Sequence, residues 1–540
     1  MSGGRRMRAA AIALAALAAA RAAHADTPTA DEDRFFVDKV DDERSEDRTL
    51  WQGSLTSTSF LHRENAGVAT PLSTGTQGAE NAAPFMRMFT DLRAQLDARH
   101  VKGGNWDARV DARLRYSAKG DGEYNLQSGT FGGNEYDLRE LYLVRGGART
   151  DVSLGRQIVL DLGGIKIDGI RIDRAASQKW TYLGFAGLYP VRGSRSITTD
   201  YPPARIAGGT RGGRILPGAV GGGAAYRTQQ AYGALGAVAI ASLTKDTATQ
   251  TNESPRLYLT ANGYWRPRIT LDLFHYAVVD LVGANGAALT NLSLGADWKP
   301  APRMRVTALV NQTDTETLNV QAQARLQEPQ PLGVTFNNEV FVARLSTLSA
   351  RLGLSVSLGA TGRFEISTSG AVRRRPDLTL TTSDGTTKVT VAAAQTAEVM
   401  LQAVDRRSIL GLRISGSVLR SFGVGNNFAR TSSLIARLSA ERELAEGKGD
   451  LSGSLGYSSS SDDNIGVTCD GVTLSTCWGS AKSRTISLEG AGSYRLGRSW
   501  LGIASLELAN QSLQVTDAMK LVPQPGIIMV TALVRLSYRF

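Results

Sequence analysis

The last fourteen residues, 527–540, leave the chain few choices of fold. Ile528, Val530, Ala532, Val534, Leu536, Tyr538 and Phe540 fall on one face of a strand, and Met529, Thr531, Leu533, Arg535, Ser537 and Arg539 on the other. Strand side chains alternate with period two, so one face is wholly apolar and the other mostly polar. In a water-soluble sheet, a terminal strand this apolar would be an exposed, aggregation-prone edge. A barrel closed in lipid removes that edge, because its last strand pairs with its first.

The segment 104–117 repeats the pattern with charge. Trp106, Ala108, Val110, Ala112, Leu114 and Tyr116 alternate with Asp107, Arg109, Asp111, Arg113 and Arg115. An arginine on the lipid face at the bilayer midplane costs about 2–4 kcal/mol, so the charged row must face the lumen and the apolar row the lipid. Trp106 and Tyr116 then mark the two interfaces. The preceding strand, 88–99, has Arg93 and Arg99 on its polar face with Asp91, Gln95 and Asp97.

The C-terminal Tyr538-Arg539-Phe540 resembles the assembly signal of bacterial outer-membrane barrels, an aromatic last residue preceded by apolar residues at alternate positions. That resemblance implies recognition of Tyr538 and Phe540 by the barrel insertion machinery. At the other end, Arg5, Arg6 and Arg8 precede the apolar run 9–20 and an Ala23-His24-Ala25 cleavage pattern. This reads as a secretory signal peptide over residues 1–25, with a run too short for a membrane helix. Residues 26–50 carry ten acids against four bases and no periodicity, which predicts an acidic, solvated periplasmic tail. Removing Arg5, Arg6, Arg8 and Arg21 lowers the formal charge from +11 to +7, and the acidic tail leaves about +13 on residues 51–540. That charge is spread over alternating strands, not clustered as a nucleic-acid surface would require.

Short turns alternate with long loops along residues 51–540. Turns are predicted near 146–147, 175–177, 227–229, 266–268, 300–302, 359–362, 405–408, 445–448 and 496–498. Long loops are predicted near 118–134, 189–221, 244–253, 314–337, 374–386, 422–430, 461–481 and 515–525. The fold class is therefore all-β: a transmembrane antiparallel up-and-down β-barrel of the Gram-negative outer membrane. About 22 strands are expected, within 18–24, with both termini on the periplasmic side.

Asp137-Leu138-Arg139-Glu140-Leu141-Tyr142, Leu154-Gly155-Arg156-Gln157 and Ile167-Asp168-Gly169-Ile170-Arg171 together resemble the opening strands of porin-like barrels of the alginate-export and related porin groups. Leu141 departs from the alanine usual there, and the tryptophan-glycine step after Gln157 is absent. The resemblance implies that Arg139, Glu140, Arg156, Asp168 and Arg171 line a pore. The same charges on a lipid face would be costly, and opposite signs on neighbouring strands can also pair as a wall brace. Both readings stay open here. Arginine greatly outnumbers lysine, and its planar fork suits carboxylates and phosphates as well as wall salt bridges.

Other chemistry finds little support. His62, His100 and His275 have no carboxylate at metal-ligand spacing and no serine elbow, so neither a metal, a cofactor nor an enzyme is expected. The glycine-rich run 207–223 lacks the lysine and serine or threonine of a phosphate loop, and reads as an outer loop able to constrict the lumen. Cys469 and Cys477 share one loop of an oxidising compartment, which predicts a local disulfide. With only residues 26–50 between the signal and the first strand, a plug-gated importer is not expected. The expected activity is a porin-like or polymer-export channel for passive passage or export of small or polymeric hydrophilic solutes, with anionic saccharides as one candidate class. The rival is a closed-lumen barrel whose loops bind a partner. The solute and the oligomeric state are not legible.

Overall fold

The computed structural model describes residues 49–65, 85–119, 135–190, 201, 203–205, 211–214, 216–243, 255–282, 287–316, 340–342, 344–359, 362–376, 378–382, 388–391, 393–409, 411–424, 430–444, 447–463, 481–517, 520–523 and 526–540. The signal peptide, all but the end of the acidic tail, and both cysteines lie outside these residues.

Strands dominate the described chain. The first seven form a meander: β1 (Leu50–Glu64), β2 (Phe85–Arg99), β3 (Trp106–Lys119), β4 (Glu135–Arg145), β5 (Thr150–Val159), β6 (Ile165–Ala175) and β7 (Trp180–Leu188). Two short strands, β8 (Pro203–Arg205) and β9 (Arg211–Arg214), pair only with each other. The meander resumes with β10 (Pro217–Arg227), β11 (Ala231–Ser242), β12 (Arg256–Arg268), β13 (Leu271–Val282), β14 (Ala288–Ala301) and β15 (Met304–Glu316). The short β16 (Val340–Val342) precedes β17 (Arg344–Leu358) and β18 (Phe364–Arg375). It forms a separate small sheet with β19 (Leu378–Thr382) and β20 (Lys388–Val391). Then come β21 (Ala394–Ile409), β22 (Leu412–Gly423), β23 (Arg430–Leu444), β24 (Gly449–Asp463), β25 (Ala481–Leu496) and β26 (Trp500–Asp517). The short β27 (Lys520–Pro523) extends only β26, and β28 (Ile527–Arg539) ends the chain.

The ring closes. β28 pairs antiparallel with both β26 and β1, with Leu55 opposite Tyr538 and Leu61 opposite Ala532. Gly53 N–H donates to Phe540 O at 3.0 Å and Phe540 N–H to Gly53 O at 3.2 Å. Setting aside β8, β9, β16, β19, β20 and β27, 22 strands form one closed antiparallel barrel with no edge to protect.

The two faces follow the alternation. On β3, Trp106, Leu114 and Tyr116 are exposed, while Asp111 and Arg115 are 5% and 6% exposed. On β28, Ile528, Val534 and Leu536 are exposed and Ser537 is buried. The exposed outer rows of leucine, valine and isoleucine need hydrocarbon around them, and the chain is a transmembrane β-barrel of the Gram-negative outer membrane. Trp51, Trp106, Trp180, Trp265, Trp298 and Trp500 all lie where a strand meets the short-turn side, forming one aromatic girdle at the periplasmic interface. Trp500 packs on Tyr538 at 4.7 Å between ring centroids, joining the girdle to the C-terminus.

Three expected boundaries move. β10 begins at Pro217, so the end of the glycine-rich run is barrel wall and not loop. β12 continues to Arg268 with a register shift after Trp265, and its turn falls at 269–270. The polar run 405–408 is strand, because β21 reaches Ile409 through an irregular register after Asp405. In the last two places the charges pair with neighbouring strands instead of forming a turn. Arg266 meets Asp272 at 2.6 Å, Arg363 meets Asp405 at 2.9 Å, and Arg406 meets Glu365 at 2.7 Å.

Candidate pore and its in-folded hairpin

The inner faces of β2, β3 and β4 carry a lattice of opposite charges. Arg93 holds Asp111 through Nε at 2.8 Å and Nη2 at 2.5 Å. Arg115 holds Asp91 the same way at 2.7 and 2.8 Å, and its guanidinium lies 4.2 Å from the centre of the Phe89 ring. Arg109 meets Glu140 at 2.5 Å. Asp137 takes Arg139 at 3.2 Å and Arg113 at 3.7 Å. The strands impose this order: Arg93 lies opposite Arg113 and reaches diagonally to Asp111, while Arg113 turns to Asp137, its direct partner on β4. Arg99 ends β2 opposite Leu50, at the short-turn side.

Arg156, Asp168 and Arg171 belong to a different feature. Residues 160–162 form a single 3-10 turn, followed by Gly163 and Gly164 at φ 82° and 71°. They join β5 to β6 with five residues on the side where the other connections are mostly long. β4 pairs with β5 only over Leu141–Arg145, so the tip of the β5–β6 hairpin is free to leave the wall. Gly155, at φ +128°, lies against the backbone of Leu141 and Tyr142, an approach that no side chain would permit.

Above that point the hairpin leans across the inner faces of β10, β11 and β12. Leu162 is fully buried, with Gly223 and Gly236 beneath it; a Cβ at Gly223 would lie 2.9 Å from Leu162 Cδ2. The wall reaches up with polar groups. Asn262 Nδ2 donates to Leu160 O at 3.2 Å, Tyr276 Oη donates to Gly163 O at 3.1 Å, and Tyr232 Oη donates to Asp161. Arg171, 2% exposed, donates to Asp161 at 2.9 Å and to Asp173 at 2.8 Å. Val159, Ile165 and Ile167 of the hairpin pack with Leu183, Phe185, Val238, Ile240, Tyr258 and Val278 of the wall. Burial of this apolar cluster seats the tip, and its backbone carbonyls are met by side chains as burial demands.

Arg156 braces the hairpin. It holds Asp168 through two bonds of 2.6 Å and donates to Leu138 O at 3.1 Å, while Tyr201 Oη donates to the same carboxylate at 2.6 Å. Arg156 is 4% exposed, which leaves it little surface for a passing solute. The docking residues Asp161, Tyr232, Asn262 and Tyr276 escaped sequence reasoning. The available signals were the Gly163-Gly164 pair after an apolar run and the small residues of 218–225 and 233–241.

The opposite wall is plainer. Along β24 the inward row is Ser452, Ser454, Gly456, Ser458 and Ser460. Inward hydroxyls pair across strands: Ser415 with Ser439 at 2.6 Å, Ser421 with Ser433 at 2.7 Å and Ser460 with Ser483 at 2.7 Å. Arg437 crosses to Glu489 at 2.5 Å and to Ser454 at 3.0 Å. At the seam, His62 bonds Thr531 and Glu64, each at 2.9 Å.

No family model matches the chain, and no curated protein matches it. Among solved structures, the porin OccAB3 of Acinetobacter baumannii is 8% identical, with 91% of this chain and 99% of that one covered at a TM-score of 0.36. OccK11 of Pseudomonas aeruginosa, also a porin, is 9% identical, with 92% and 99% covered at a TM-score of 0.34. A mutant ferric enterobactin receptor of Pseudomonas aeruginosa, solved with enterobactin, is 10% identical, with 90% and 81% covered at a TM-score of 0.48. These superpositions are loose, and the barrel assignment rests on the closed strand pairing itself.

Proposed function

We propose that the protein is a porin-like channel through which small hydrophilic solutes, including anionic ones, cross the outer membrane by diffusion. One observation carries the reading. The inner face of a 22-strand ring carries inward arginines, acids and serines, while the in-folded hairpin rests on one side of the wall, chiefly β10–β12 with Tyr276 and Val278 of β13 beside them. The inward cations that stand more than half exposed, Arg351, Arg413 and Arg437, support a hydrated lumen. A charged, hydrated lumen sets a transverse field, and the hairpin narrows the cross-section. Arg93, Arg99, Arg109, Arg113, Arg115, Arg139, Glu140 and Arg171 are assigned to the wall of that path or to its bracing, and Arg156 with Asp168 to holding the constriction. Acidic saccharides fit the arginine excess as a solute class, in line with the alginate-export resemblance. Tyr538 and Phe540 are assigned to recognition by the insertion machinery.

The test is single-channel recording of the purified, folded protein in planar bilayers. Steady, salt-dependent conductance is the expected result. A folded barrel that never conducts overturns the channel reading and leaves the closed, partner-binding barrel.

A further inference from the structure

At the loop end of the barrel, the hairpin does not meet the wall everywhere. A cavity of about 470 Å³ lies between them. The hairpin contributes Ile158, Ile165 and Lys166; β4 contributes Arg139; β11 and β12 contribute Ile240, Arg256 and Tyr258. Three cationic side chains therefore share one open, partly apolar pocket, and no carboxylate is among the described residues that line it. Two of the cations are fixed from behind. Arg139 uses Nε on Asp137, and Arg256 uses Nε and Nη2 on Asp280 while its guanidinium lies 4.8 Å from the centre of the Tyr258 ring. These anchors hold both guanidinium groups in place before any ligand arrives, which lowers the ordering cost of binding. The volume falls within the range of small-molecule sites, and such sites combine mostly apolar walls with a few convergent polar groups.

From this chamber we infer a binding site for small organic acids, in which the carboxylate meets Arg139 and Lys166 and the hydrocarbon body lies against Ile158, Ile165, Ile240 and Tyr258. A neutral molecule of the same shape brings no negative charge to this cationic lining. A bare anion such as acetate leaves the apolar walls wet. The site takes the two features together. The inference deepens the channel reading, since it names the solute class that this mouth retains, but binding itself does not require conduction.

The test is calorimetric titration of the folded, detergent-solubilised full barrel with hexanoate, hexanamide and acetate. Hexanoate is expected to bind, with hexanamide and acetate each far weaker. Lys166→Met and Arg139→Met are each expected to weaken hexanoate about tenfold, the worth of one charge-assisted hydrogen bond. Asp137 keeps Arg113 at 3.7 Å in the second variant, so the wall stays braced. Arg256 is left intact because its partner Asp280 is fully buried. Folding of each variant is checked by the heat-dependent gel shift of the closed barrel. Equal binding of hexanoate and hexanamide, or hexanoate affinity unchanged in both folded variants, overturns the site. Hexanoate binding to a barrel that is silent in bilayers upholds the site and overturns the channel. Conduction without hexanoate binding overturns the site alone.

Discussion

Arg171, on the side of the barrel that carries the hairpin, is 2% exposed and grips two carboxylates, whereas Arg437, on the far side of the lumen, is 53% exposed and reaches one. The contrast extends along both walls. The side chains of Arg115 and Arg156 are 4% exposed within their ion pairs, while those of Arg351 and Arg413 are more than half exposed. Around β2–β13, charge is buried between strands and beneath the hairpin tip. Around β17–β26 the inner face is covered with small hydroxyls, and the charges stand in the lumen. A desolvated ion pair must be complete, because removing one partner strands the other in a dry site. An exposed pair is screened by water and salt and contributes little. The first wall is therefore a brace whose most buried members, Arg115, Arg156 and Arg171, cannot be removed cheaply, and the second is a surface that tolerates such losses.

The largest expected effect tests that division directly. Arg171→Met leaves Asp161 and Asp173 facing each other without their cation, and should destabilise the barrel by about 3–5 kcal/mol. Ser439→Ala, which removes one hydroxyl pair from the other wall, should cost about 0.5–1.5 kcal/mol. Urea unfolding followed by the heat-dependent gel shift measures both. Equal midpoints for the two variants would break the comparison.

A second, smaller effect separates docking from bracing. Gly236→Leu places a side chain where Leu162 now sits, and overpacking of this kind costs about 1–3 kcal/mol. The hairpin should lift from β10–β12; a Cβ there would also lie 2.6 Å from Gly222 O of β10, so the heat-dependent gel shift checks that the ring stays closed. Conductance should rise and become noisier. A folded variant with unchanged conductance would show that the tip does not narrow the path.

How much of this was legible follows the same division. Period-two alternation is a local property, so the outward row of β3, the C-terminal strand and the 22-strand count could all be read along the chain. The β2–β3 charge lattice followed from the same parity, since Arg93, Arg113 and Arg115 could not face lipid. The hairpin could not be read. Val159 and Leu162 look like part of any lipid-facing run, and what buries them is Gly223, Gly236 and Tyr258, 60 to 100 residues later. Residues 405–408 were expected as a turn because four polar residues in sequence usually are. Their partners are Glu365 on β18 and Arg363 just before it, which sequence spacing does not point to.

The smallest expected effect concerns ion selectivity, and it again sets one wall against the other. Arg109 meets Glu140 and Arg113 reaches Asp137, so each positive charge on β3 is largely cancelled at its own site. Neutralising both, as Arg109→Gln with Arg113→Gln, exposes Glu140 but leaves Asp137 with Arg139. That removes two positive charges, but from part-buried side chains set back in the wall, 32% and 20% exposed against 53% for Arg437. Across the barrel, Glu489 lies directly opposite Glu507 on β26, and Arg437 is the cation that reaches this pair. Arg437→Gln therefore leaves two like charges side by side in a more exposed setting. Coulomb attraction in a confined pore exceeds that in bulk water, so both variants should move the zero-current potential in a salt gradient towards cations. The single change at Arg437 should move it at least as far as the double change on β3. Both shifts should shrink as salt shortens the screening length to about 3 Å at 1 M. A larger shift from the β3 variant would place the selective wall beside the charge lattice and reverse the roles assigned to the two sides.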